Sequence, residues 1–124
     1  MTDILYKEES CKLIGICMEV HRTLGMGFRE NVYKDALELE FRDHQLPFIR
    51  EKQFKIEYKG ITLPHRYFAD FIVFDEIVLE VKSASTIVDN FVAQTINYLK
   101  AADLKLGIIA NFGEKSFTYK RIVF

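Results

Sequence analysis

Three charged side chains interrupt an otherwise apolar stretch. Asp70, Glu80 and Lys82 lie within residues 69–82, two apolar runs joined by the acidic turn Asp75-Glu76. Charges inside a strand are costly unless they are paired or hold a metal. Two carboxylates a few ångströms apart repel, and a hard cation such as Mg2+ or Mn2+ relieves that repulsion. The backbone carbonyl of Val81 offers a third oxygen ligand. A protonated Lys82 does not ligate a metal, but it can orient a water, exchange a proton with it, or stabilise charge on a scissile phosphate. Metal, lysine and activated water together can hydrolyse a phosphodiester. The competing reading is an ion pair of Lys82 with Glu80 or Asp70 that only satisfies itself.

The chemistry requires all three side chains on one face. Strand alternation puts Glu80 and Lys82 together. A two-residue turn at Asp75-Glu76 would pair Phe74 with Ile77, and so Asp70 with Val81, leaving Asp70 on the face opposite Glu80. A three-residue loop over Phe74–Glu76, or a bulge in either strand, restores the match. The sequence therefore predicts an odd-numbered loop or a bulge between Asp70 and Glu80. Two helices can add polar groups. Glu30 and Tyr33 are spaced i, i+3, and Gln94 and Tyr98 i, i+4, so each pair shares a helix face. Glu30 can supply another carboxylate to the metal, Gln94 a hydrogen bond to water or phosphate, and Tyr98 one to a phosphate oxygen. A polar helix surface or a satisfied core tyrosine would explain each residue without function.

The elements that must position these groups follow from periodicity. Cys11, Ile14, Cys17, Met18, Val20, His21 and Leu24 recur at helical spacing over residues 4–24, and Gly25-Met26-Gly27 ends that helix. A second helix spans residues 28–44, with Val32, Tyr33, Ala36, Leu37, Leu39, Glu40 and Phe41 on its inner face, and Pro47 stops it. From Phe48 the period becomes two. Phe54, Ile56 and Tyr58 alternate with charges, Lys59-Gly60 turns, and Pro64 argues for an edge or a bulge in the returning strand. The runs 67–74 and 77–82 are apolar on successive residues, as in strands covered on both faces. Residues 83–86 offer an N-cap for a third helix over 87–102. Strands at 104–111 and 116–124 complete the order α-α-β-β-β-α-β-β. The unit 77–111 reads as a parallel strand-helix-strand crossover.

The chain has 124 residues, 49% hydrophobic and 28% charged, which fits one domain over 1–124 with its own core. No apolar run reaches the roughly 20 residues of a membrane helix. The N-terminal MTDILYKEES is acidic where a signal peptide is basic, so a cytoplasmic location is expected. Cys11 and Cys17, six apart on one helix, point to different faces and read as buried structural thiols. The net charge is −1, but Lys and Arg outnumber Asp and Glu six to three over 42–66 and five to two over 100–124. Over 67–99 they are outnumbered five to one. That distribution suits a metal site beside a phosphate-binding rim, and equally a solvated surface.

These residues together resemble the PD-(D/E)XK nuclease superfamily, and within it the GxxExxY family. Gly27-Phe28-Arg29-Glu30-Asn31-Val32-Tyr33 is similar to that signature, Tyr67–Phe71 to the family's first acidic strand and Leu79-Glu80-Val81-Lys82 to its ExK strand. The segment Ala93–Lys100 resembles the following helix, with a QxxxY spacing at Gln94 and Tyr98. Leu106-Gly107, Asn111-Phe112-Gly113 and Lys120–Val123 complete a likeness running from about Ile14 to Val123. Ala69 stands where the superfamily's name has proline, which removes no ligand. The resemblance implies a restriction-endonuclease-like α/β fold, a mixed central sheet flanked by helices. It implies Glu30, Asp70, Glu80 and Lys82 as the catalytic set, with Gln94, Tyr98 and Tyr33 supporting or contacting phosphate. It implies metal ligation by Asp70, Glu80, the Val81 carbonyl and Glu30. The expected activity is Mg2+- or Mn2+-dependent hydrolysis of DNA, by a homodimer or inside a larger complex. The alternative is a catalytically silent nucleic-acid-binding or protein-interaction module. His21 fits the family pattern, and a packed or capping histidine is the reading preferred for it.

Overall fold

The structure, a computed structural model, describes residues 4–124. Residues 1–3, the start of the acidic N-terminal stretch, lie outside the described residues. The elements are α1 (Lys7–Leu24), α2 (Glu30–Asp43), β1 (Phe48–Tyr58), β2 (Ile61–Val73), β3 (Ile77–Lys82), α3 (Asp89–Ala102), β4 (Leu106–Asn111) and β5 (Thr118–Val123). The strands form one sheet in the order β1-β2-β3-β4-β5. Only β3 and β4 run parallel, as expected for strands joined through a helix. This is the mixed sheet flanked by helices of the restriction-endonuclease-like class, with the expected element order. Two apolar layers cover it. Leu13, Ile16 and Val20 of α1 and Leu37 and Phe41 of α2 pack on Phe71, Val73, Leu79 and Val81. Leu99 of α3 packs on Ala69, Ile72, Val78 and Ile109.

Several sequence expectations change. The buried stripe of α2 is Tyr33, Lys34, Leu37 and Phe41, while Val32 and Leu39 are exposed. The stripe is rotated because a lysine takes a core-facing place, which hydrophobic periodicity does not register. Cys17 is buried, but Cys11 is exposed, and both thiols are free. Helix α3 begins at Asp89 without a side-chain cap. The stretch 83–86 supplies no cap, and its first residue, Ser83, donates its hydroxyl to the Phe28 carbonyl at 2.7 Å. His21 is packed as expected, buried beside Phe112 and Phe117, its Nε2–H donating to the Glu114 carbonyl at 2.9 Å. Around Pro64 the β1–β2 register shifts between Lys55 and Glu57, which is the anticipated irregularity.

The loop from β2 to β3 is Phe74-Asp75-Glu76, three residues long. Phe74 and Asp75 adopt φ of 57° and 58°, and Glu76 N–H donates to Val73 O at 3.1 Å. Val73 pairs with Ile77, Ile72 with Val78 and Phe71 with Leu79. Extending that register sets Asp70 opposite Glu80, so of the odd loop or bulge that the chemistry requires, the odd loop forms.

The segment after β3 is anchored by buried Asn111. Its Oδ1 accepts from Ala84 N–H at 3.0 Å and Gly113 N–H at 3.1 Å, and its Nδ2 donates to Ala84 O at 3.0 Å and Glu114 Oε2 at 2.9 Å. Gly113 makes the approach possible. A Cβ there would lie 2.6 Å from the Ser83 carbonyl carbon and closer still to Ala84 N and O, all backbone atoms with no freedom to swing aside. Gly113→Ala is therefore expected to destabilise the protein by about 3 kcal/mol. Urea unfolding measures this, and a midpoint like wild type's would show that the 83–85 segment is free to shift.

Candidate active site

Strands β1 and β2 change the layer they face at one rung. Phe48, Phe71 and Val73 pack with α1 and α2, whereas Phe54 and Ala69 pack with α3. Strict alternation does not allow this, because Phe48 and Phe54 have the same parity, as do Phe71 and Ala69. The phase changes at Glu51 and Asp70. They would be register partners between Arg50↔Phe71 and Lys52↔Ala69, yet they form no ladder pair. Glu51 has φ of 56°, which is unusual for a glutamate inside a strand. Asp70 thus stands where the sheet turns from one helical layer to the other, and it is bonded from α2 and from β3.

From the α2 side, Lys34 Nζ donates to Asp70 Oδ1 at 3.0 Å and also to Glu51 Oε1. Burial works to lower the Lys34 pKa, but the bonds and charges of Glu51 and Asp70 outweigh it and hold the ammonium above its ordinary value. From the β3 side, Val81 N–H donates to Asp70 Oδ2 at 2.8 Å, and Asp70 N–H donates to Glu80 Oε1 at 3.2 Å. The N–H and C=O of a strand residue point to the same neighbour. The Val81 carbonyl therefore also faces the strand that carries Asp70. Glu80 is only 3% exposed. Burial, followed by the Asp70 charge, pushes its carboxyl up to about 9. Carboxyls raised by burial beside a like charge cluster at functional sites.

Lys82 shares the Glu80 face and is half-buried. Its Nζ lies 3.5 Å from Gln94 Oε1 and 4.7 Å above the Phe91 ring, so α3 holds it through a weak hydrogen bond and a cation–π contact. The ion pair anticipated between Lys82 and the acids is not the one that forms, since Asp70 pairs with Lys34. Tyr98, half-buried, meets Tyr67 edge-on at 5.9 Å between ring centres. Burial and the charges of Glu80 and Asp70 push its hydroxyl up to about 12, so it stays protonated beside the acids. Asp70, Glu80, Lys82, Gln94 and Tyr98 are thus brought together.

Two sequence candidates sit elsewhere. Tyr33 is fully buried, stacked on Phe112 at 4.6 Å. Its hydroxyl donates to Gly25 O at 2.6 Å and accepts from Phe28 N–H at 3.3 Å. It fixes the turn between α1 and α2, and its position bars the phosphate contact expected of it. Glu30 is exposed on the wall of a groove of about 640 Å³, which Arg29, Lys34, Ser83 and Ser85 also line. The groove adjoins the acidic pair through Lys34 rather than containing it. Glu51 and Lys34 were missed from the sequence. Lys34 lies i+4 from Glu30 and so shares its face, which is a readable signal. Glu51 sits between Arg50 and Lys52 with nothing to distinguish it. A separate cluster, Glu40, Asp43 and His44, brings three possible donor atoms within 4.8 Å at the end of α2, with His44 already bonded to the Glu40 carbonyl at 2.8 Å.

Comparison with known proteins agrees with this geometry. One solved structure, the crystal structure of SSO0001, superposes with a TM-score of 0.63 at 18% identity, covering 76% of this chain and 50% of that one. The likeness is one of fold, and it spans only half of that protein. No curated protein sequence matches. Among the described residues, no helix is long and apolar enough to cross a membrane. A family profile for the PD-(D/E)XK nuclease superfamily matches residues 7–122, nearly the whole chain. With the acidic strand, the ExK strand and the sheet all in place, the chain belongs to the PD-(D/E)XK nuclease superfamily.

Proposed function

We propose that the chain is a Mg2+- or Mn2+-dependent nuclease that hydrolyses DNA, a member of the GxxExxY family acting as one domain in the cytoplasm. The observation that carries this reading is Asp70 opposite Glu80 at the broken rung, with Lys82 beside them and committed to neither. The donor set fits a hard divalent ion. Glu80 is a buried carboxyl that makes no ion pair among the described residues, Asp70 faces it, and the Val81 carbonyl points to the same strand. Asp70, Glu80 and Val81 O would hold the ion, and Glu30, exposed on the wall of the adjoining groove, is the further carboxylate of the proposed set. When bound, the ion supplies Lewis-acid stabilisation of charge on the phosphate and eases loss of a proton from water.

The chain's own groups do the rest. Lys82 Nζ, braced by Gln94 and Phe91, orients the attacking water and exchanges a proton with it. The Tyr98 hydroxyl and the Gln94 amide donate to phosphate oxygens. The water oxygen bonds to phosphorus, one ester P–O bond breaks, and the leaving oxygen takes up a proton. Polyanion binding is supported by the β1–β2 arm, where residues 52–68 carry Lys52, Lys55, Lys59 and Arg66 against Glu57 alone. Lys55 and Arg66 are direct register partners, and facing like charges cost stability unless an anion bridges them. Phe68, 51% exposed, offers a stacking surface nearby. A homodimer or a larger assembly would supply the rest of a DNA-binding surface.

The test is incubation with single- and double-stranded DNA, and with matching RNA, in Mg2+ or Mn2+, beside Asp70→Asn. Metal-dependent DNA cleavage that disappears in the variant is expected. Cleavage no greater than the variant's on every substrate would overturn the reading. Nucleic-acid binding indifferent to metal and to Asp70→Asn would identify a silent binding module.

A further inference from the structure

We propose that Lys34 is a built-in cation, standing between Asp70 and Glu51 where a second metal ion would otherwise bind. The inference deepens the metal-site reading and rests on it for the ion at Asp70 and Glu80.

Lys34 is only 6% exposed, yet its ammonium bonds two carboxylates from two different strands. A single acid would satisfy the charge. The second is obtained at a structural cost, since Glu51 takes a positive φ and the Glu51–Asp70 rung is lost from the ladder. Asp70 is then shared, with one oxygen on Lys34 and the other toward β3, where Glu80 lies opposite. A carboxylate bridging two cationic positions is the arrangement by which paired metal ions are held. Here one position is filled by Nζ. Because Lys34 also lines the groove with Glu30 and Ser83, its charge stands at the edge of the space a phosphate would enter. Lys34 is therefore a positioning residue that fixes Asp70 and limits the site to one ion.

Removing the ammonium while keeping the side chain's bulk exposes the consequence. Lys34→Met leaves Glu51 and Asp70 facing each other with no counter-charge, an arrangement that recruits a divalent ion. Mn2+ binding is counted by titration calorimetry and by the electron paramagnetic resonance of free Mn2+. Wild type and Lys34→Arg are expected to bind one ion, Lys34→Met two, and Lys34→Met/Glu51→Gln one again. Lys34→Met with the wild-type count, or with a second ion that ignores Glu51→Gln, overturns the proposal. Should Lys34→Met not fold without metal, recovery of its near-ultraviolet circular dichroism by Mn2+, lost on adding Glu51→Gln, supports the proposal. Absence of that recovery overturns it. The metal-site reading fails separately, if wild type binds no Mn2+ or binds it equally well as Asp70→Asn. An ion gained by Lys34→Met through Glu51 would still support the role of Lys34 in that event.

Discussion

Lys82→Ala is expected to lower metal-dependent cleavage by roughly 10²–10³-fold while leaving Mn2+ binding intact. The side chain is bound to neither acid, so its loss leaves Asp70 and Glu80 their mutual geometry and their capacity for a cation. What goes is the positive charge braced between Gln94 and Phe91 on the Glu80 face. Lys82→Arg is not expected to rescue the rate. A guanidinium keeps the charge but exchanges no proton and spreads its donors over a plane that a site shaped for an ammonium does not match. Single-turnover cleavage at saturating Mn2+ separates chemistry from binding. A wild-type rate for Lys82→Ala would remove the lysine from the mechanism and leave it a packing role against Phe91.

Glu80→Gln is expected to be more stable than wild type in metal-free alkaline buffer, by roughly 3–5 kcal/mol at pH 8. The folded protein holds the Glu80 carboxyl up to about 9, against an ordinary 4.5 in the unfolded chain. Below 4.5 both states keep the proton and pH has no leverage. Between 4.5 and about 9 the unfolded chain has released its proton while the folded one retains it, so wild type loses stability as pH rises through that window. Glutamine stands in for the protonated acid, still accepts from Asp70 N–H through its Oε1, and does not titrate. The two proteins should therefore match near pH 4.5 and separate steadily above it. Urea unfolding with a chelator present, at pH 5 and pH 8, measures the gap. Parallel pH profiles would show that Glu80 ionises at no cost in the fold. Mn2+ added at pH 8 should close the gap from the wild-type side alone, since ligand binding stabilises only the protein that binds it.

Much of the site could be read because side-chain parity is a rigid rule. The residue types of Asp70, Glu80 and Lys82 require one face, and the period of two then requires an odd loop or a bulge; the odd loop, Phe74–Glu76, is the one that forms. The order of helices and strands followed from changes in period at Gly25, Phe48 and Ser83. The illegible parts are those where a side chain obeys a partner rather than its own neighbours in sequence. Lys34 is buried because two acids from distant strands meet it, so the α2 stripe was drawn one position out of place. Tyr33 carries a hydroxyl that suits a phosphate and a backbone carbonyl equally well, and only the turn at Gly25 shows which it takes. The polar stretch 83–86 has the right chemistry for a cap, but helix α3 starts beyond it at Asp89, and Ser83 bonds the Phe28 carbonyl. Glu51 depends on a backbone angle that its identity does not encourage.

The missing rung at Glu51 and Asp70 also divides the molecule for hydrogen exchange. Outboard of it, residues 52–69 are paired strand to strand within one hairpin, while inboard Phe71–Val73 are paired on both sides. Amides of the hairpin should exchange with deuterium through an opening that spares β3 and β4, making two cooperative units where the sheet looks continuous. A cation shared by Asp70 and Glu80 would stitch those units together, so protection of the hairpin amides should rise on adding Mn2+ even though none of them touches the ion.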